Sequence, residues 1–191
     1  MIKREELLYS LDDLAARASW GLEGEENQTR PGSAAHPFSA SRIETLVAGF
    51  SNQCHLDCPF CYEEHYGRAR RGQDDLDMDK LIRLIRAHKA ETGSALASFR
   101  IGNTGEPLIH KEFPRLIRET QDSVNRFSVI TSLSVKNDHI LDFMADNPGI
   151  NKVHLSCDAG DARMYERIRI NGDFNQVWEN VKKLKRAGKL F

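Results

Sequence analysis

No apolar run in this 191-residue chain approaches the roughly 20 residues that a bilayer-spanning helix needs. The longest, such as TLVAGF at 45–50, are strand-sized, and the charged start MIKREELL has no signal-peptide core behind it. A membrane protein is therefore not expected, and the reading places the protein in the cytoplasm. Charge of one sign is also lacking: Lys plus Arg total 27 against 28 for Asp plus Glu. A net charge of -1 supplies no long-range field toward nucleic acid or an anionic membrane. Cysteine is scarce as well, with only four residues. Three of them crowd into eight positions, which rules out a spread disulfide framework and in a reducing compartment points to metal binding or catalysis.

What is present is an ordinary globular composition, 40% hydrophobic and 29% charged, with a length suited to one sizeable domain. Residues 4–17 place Leu7, Leu8, Leu11, Leu14 and Ala15 at helical spacing. From Trp20 to Ser41 the chain is rich in Gly, Pro, Ser and Glu without period, as in a linker. The expected organisation is a helix and linker arm over 1–42 and a core over 43–191.

Within the core, strand-like and helix-like periods alternate. IETLVAGF at 43–50 is followed by a helix around Met78, Leu81, Ile82, Ile85 and His88; ASFRIG at 97–102 by one near 112–124. FSVIT at 127–131 precedes a helix near 138–146, and KVHLSC at 152–157 one over 174–187. Phe174, Val177, Trp178, Val181 and Leu184 share a face of this last helix, which Gly188 is expected to stop. Such alternation predicts an α/β fold with a parallel sheet and ligands at the C-terminal ends of the strands.

CHLDCPFCY sets Cys54, Cys58 and Cys61 at CxxxCxxC spacing in the loop after the first strand. Three thiolates in so short a loop can hold three corners of a cubane and leave one iron open to a small-molecule ligand. The alternative is a structural zinc site completed by His55, His65 or Cys157, although no second CxxC exists to pair with the first. RIGNTGEPL, Arg100 to Leu108, ends the second strand with a Gly-rich turn. HLSCDAG, His154 to Gly160, ends the fourth with Ser156 and Asp158, where Asp158 could equally cap a following helix. Cys157 is out of phase with both and reads as core.

The CxxxCxxC loop resembles the signature of the radical S-adenosylmethionine (radical SAM) superfamily, and GNTGEP its GGEP-type motif. The resemblance implies a partial TIM-type (βα) barrel, usually of about six units, of which four are visible before Phe191. It implies a [4Fe-4S] cluster on Cys54, Cys58 and Cys61 that reduces S-adenosylmethionine to a 5'-deoxyadenosyl radical, which abstracts hydrogen from a peptide or small-molecule substrate. Thr104, Gly105 and Glu106 inherit contact with the cofactor's amino group, with Thr104 replacing the commoner first glycine. Ser156 and Asp158 match an SLDG-type strand end, and Ser132 in TSLSV stands at a TNG-like turn. In YERIRINGDF, Arg169 matches a carboxylate-holding arginine, with Arg167 in competition and a solvated surface position as the plain alternative. Phe60 and Tyr62 bracket Cys61 and could lie against adenine. An electron donor such as flavodoxin or ferredoxin is implied. With two units missing, the fourth strand would be an unpaired edge that favours self-association or a completing chain. A catalytically incomplete remnant and a non-catalytic iron-sulfur or zinc module are the other readings.

Overall fold

Four short strands line up in the order in which they occur, every neighbouring pair parallel. A computed structural model describes residues 43–49, 51–61 and 75–191. The expected N-terminal helix and linker, and with them Tyr62 and His65, lie outside the described residues. The strands are β1 (Thr45–Ala48), β2 (Ser98–Ile101), β3 (Phe127–Thr131) and β4 (Ile150–Leu155). Between and after them run α1 (Met78–Thr92), α2 (Phe113–Thr120), α3 (Asp138–Asp146), α4 (Ala162–Ile168) and α5 (Phe174–Arg186). None of the described helices is long and apolar enough to cross a membrane.

The helices start where side chains cap them. Asp77, Asn137, Asp161 and Asp173 each accept a backbone N–H three residues on, from Lys80, Ile140, Met164 and Gln176. Asp173→Ala is expected to cost about 1 kcal/mol in urea unfolding. The Gln176 N–H, with Lys136 nearby, holds the Asp173 carboxyl below its ordinary range. Its contribution is present above the ordinary carboxylate range and is lost as pH falls through the lowered value. Wild type and variant should therefore converge in acid; a difference that persists there would contradict the capping account.

One face of the sheet is built for burial. Phe99, Ile101, Phe127, Val129 and Val153 are wholly buried on it, among Leu81, Ile85, Leu116, Leu141 and Leu184 from the helices. Because side chains alternate along a strand, the intervening residues Val47, Arg100 and Lys152 face the other way and are exposed.

Two expectations need correction. The stretch between the fourth strand and the last helix, to which the expected alternation assigns no element, contains α4, whose only buried residue is Tyr165. Seven residues with one inward side chain leave no helical period to detect. The edge of β4 expected to be bare is partly covered. The Val153 N–H donates to Leu190 O at 2.8 Å and the Leu190 N–H to Asn151 O at 3.0 Å, a parallel bridge just after α5. Gly188, at φ 77°, turns the chain from α5 into this bridge, a conformation that favours glycine. On α5 itself Trp178 is 39% exposed, while Asn180 is buried and its Nδ2 donates to Leu133 O and Val135 O. Those two bonds tie α5 to the loop that leaves β3.

Candidate functional site

The segment from Ser51 to Cys61 is clamped from two sides. On one side the Glu106 N–H donates to Gln53 O at 2.7 Å and the Thr104 hydroxyl to Ser51 O at 3.1 Å. Gly105, at φ 61°, packs there so closely that a Cβ would stand 2.5 Å from both Ser51 O and Gln53 O. Only glycine meets both demands. On the other side the Asp57 N–H donates to Ile170 O at 3.0 Å, and Asn171 Nδ2 to the Asp57 carboxylate at 2.8 Å. Within the loop the Cys61 N–H donates to Cys58 O, and Leu56 is an apolar anchor at 2% exposure.

This clamping brings Cys54, Cys58 and Cys61 to the wall of one cavity of about 330 Å³ at the C-terminal ends of the strands. Of the other residues singled out in the sequence, Phe60, Gly105, Glu106, Ser132, Ser156 and Arg169 also line it. Thr104 and Asp158 do not; Thr104 holds Ser51, and Asp158 pairs with Arg169 through Nε at 2.7 Å and also through Nη2. Asn52, Asn103 and Thr131 line the cavity without having been anticipated. Asn52 and Asn103 are near-motif positions flanking Cys54 and Thr104, and proximity to a motif was the one signal that could have raised them.

The electrostatics centre on two groups. Arg169, at the C-cap of α4, has a side chain only 15% exposed, while Arg167 is exposed. The Arg169 guanidinium lies 5.2 Å from the centre of the Phe60 ring and 3.7 Å from Cys58 Sγ. Burial pushes the Cys58 thiol above its ordinary value, and the Arg169 charge opposes that push. Glu106 is 3% exposed. Its Oε1 accepts from the Thr131 hydroxyl at 2.6 Å and the Leu108 N–H at 3.3 Å, and its Oε2 from the Ser132 N–H at 2.9 Å and hydroxyl at 2.7 Å. The carboxylate thus fastens the turn after β2 to the end of β3.

Cys157 sits apart, against the core, with its thiol donating to Ala159 O at 3.2 Å. Among the described residues, no three His, Cys, Asp or Glu side chains converge closely enough to hold a single metal ion. All three loop cysteines line the same cavity.

The family model of the radical SAM superfamily matches residues 49–190. The chain belongs to the radical SAM superfamily. A probable GTP 3',8-cyclase of Methanocaldococcus jannaschii is 25% identical over 141 residues, covering 74% of this chain and 45% of the relative. The GTP 3',8-cyclase of Chlorobaculum tepidum is 28% identical over 143 residues, 74% of this chain and 41% of the relative. This radical SAM chain thus spans less than half the length of either curated relative. Among solved structures, SuiB of Streptococcus suis bound to the precursor peptide SuiA superposes with a TM-score of 0.62 at 18% identity. The match covers 78% of this chain and 32% of SuiB. Histidine-tagged anSMEcpe with bound AdoMet gives 0.60 at 20% identity, over 77% and 41%. These likenesses establish the fold, a parallel α/β sheet matching part of a radical SAM barrel.

Proposed function

We propose that this chain is the part of a radical SAM enzyme that holds a [4Fe-4S] cluster and S-adenosylmethionine. The observation that carries the reading is the meeting of all three CxxxCxxC thiols with strand-end polar groups in one cavity. Cys54, Cys58 and Cys61 ligate the cluster, and their donor chemistry fits it. When bound, cluster and cofactor supply a one-electron reduction of the sulfonium and hence a hydrogen-abstracting 5'-deoxyadenosyl radical.

The chain's own residues orient and shield that chemistry. Asn103, Ser132 and Ser156 offer hydrogen bonds to the cofactor's polar groups, and Phe60 a face for its adenine. Tyr62 is a second aromatic candidate. Gly105 and Thr104 fix the approach to Cys54, Glu106 holds the cavity wall, and Arg169, oriented by Asp158, places positive charge against Cys58. Residues 43–191 form the binding core and 1–42 an arm. A peptide or small molecule is the substrate class, in keeping with relatives named for a GTP reaction and a fold neighbour solved with a precursor peptide. Flavodoxin or ferredoxin is the proposed electron source, the cytoplasm the proposed location, and self-association or a completing chain the proposed route to a closed substrate cavity.

A second reading is a module that binds cofactor without turnover. Electron paramagnetic resonance of anaerobically reconstituted, dithionite-reduced protein separates the readings. A cluster signal that changes when S-adenosylmethionine is added, with 5'-deoxyadenosine formed, supports the enzyme. A changed signal without that product supports the binding module, and absence of any cluster signal overturns both.

A further inference from the structure

The sheet face that the described helices leave uncovered carries a set of basic residues that the cysteine-lined site does not use. Register places Val47, Arg100, Ser128 and Lys152 in one row across the four strands. His154 lies in the next row, paired with Ile130 and two residues from Lys152 along β4. Arg100 and Lys152 are exposed and His154 is partly buried. Among the described residues, none of the three has a hydrogen-bonding or ion-pair partner for its side chain. Both cations lie near enough to His154 for their charges to act on it. Burial, followed by the charges of Arg100 and Lys152, holds the His154 imidazole below its ordinary value.

The position is connected to the site. Ile130, across from His154, and Ser156, two residues beyond it on the same face, both line the cavity that holds the thiols. Two residues of strand correspond to about 7 Å, so a ligand lodged in the cavity can reach the basic residues with one end. Arg100 and Lys152 flank Ser128 from two strands apart, about 10 Å, a gap that an anion with several oxygens can bridge. Arg100 offers a planar fork, Lys152 a compact point charge, and His154 a neutral donor or acceptor. That set suits a multiply charged phosphate better than a single carboxylate, which one cation would satisfy.

We propose that Arg100, His154 and Lys152 bind the phosphate of a phosphorylated small-molecule substrate whose reacting end occupies the cysteine-lined cavity. The proposal rests on the radical-enzyme reading for what happens at that reacting end, but the binding step does not require a cluster. The test is calorimetric titration of the full chain, without iron, with inorganic tripolyphosphate and separately with acetate. Arg100→Gln and Lys152→Gln should each weaken tripolyphosphate binding by about tenfold, equivalent to about 1.4 kcal/mol. Lys182→Gln, which removes a cation paired with Glu179 on α5, should leave it unchanged. Binding should weaken with added salt, and acetate should not compete. No binding at millimolar tripolyphosphate, an equal loss in Lys182→Gln, or equal competition by acetate would overturn the proposal. Iron retention by Arg100→Gln after reconstitution should match wild type. Failure of the wild-type chain to retain iron would count against the radical-enzyme reading alone.

Discussion

Alanine at Cys54, Cys58 or Cys61 is expected to abolish iron retention after anaerobic reconstitution, whereas Cys157→Ala retains iron at the wild-type level. The three loop thiols line one cavity, and a cubane held at three corners has no spare protein ligand to compensate for a lost one. Cys157 is an internal control of the same residue type. It packs on the core, and its thiol is engaged with Ala159 O. Protein-normalised iron and sulfide assays on the four variants decide the matter, with circular dichroism to show that each is folded. Equal iron in all four would sink the ligand assignment, and loss confined to Cys157→Ala would move the metal elsewhere. The loop's backbone clamps are independent of the thiols, so the apo variants should keep their fold. The Asp57 and Gln53 backbone bonds remain whichever sulfur is removed.

Much of the architecture was readable because its signals are periodic and local. FSVIT and the helix over 138–146 occur at the residues expected, since a continuous branched and aromatic run and a capped apolar stripe leave little choice. β1 and β2 are shorter than their apolar runs, because Gly49 and Gly102 lie outside the paired residues and the ladder ends before them. The cysteine motif stood out by its spacing, and its three residues line one cavity. What stayed hidden depends on contacts between distant segments. Nothing local in NTGEP shows that Thr104 reaches back to Ser51, and the choice of Arg169 over Arg167, whose inward turn the structure shows, came from the family resemblance and not from the local residues. The cationic row was equally invisible, because Arg100 and Lys152 fall in one row only through the pairing of β2, β3 and β4.

Glu106→Ala should lower stability substantially. The carboxylate is buried and accepts four hydrogen bonds, two from backbone N–H groups and two from hydroxyls. Alanine removes the acceptor and leaves those donors in place, and each buried donor left unmade costs roughly 1–3 kcal/mol. The hydroxyls of Thr131 and Ser132 can rotate to other acceptors, so the two backbone donors dominate and the expected loss is about 3 kcal/mol. For a chain of this size that corresponds to a fall in Tm of roughly 6–12 °C. Glu106→Gln keeps the shape and one carbonyl acceptor for Thr131, but it turns an amide donor toward the Ser132 donors. Its loss should therefore be intermediate. The order wild type, Gln, Ala in thermal and urea unfolding checks the account, and an Ala variant as stable as wild type would refute it. The functional consequence lies beyond the melting curve. Glu106 joins the turn that supports Cys54 to the end of β3 that presents Ser132, so its loss should also loosen the cavity. Iron retention in Glu106→Ala should fall below that of Glu106→Gln even at temperatures where both are fully folded.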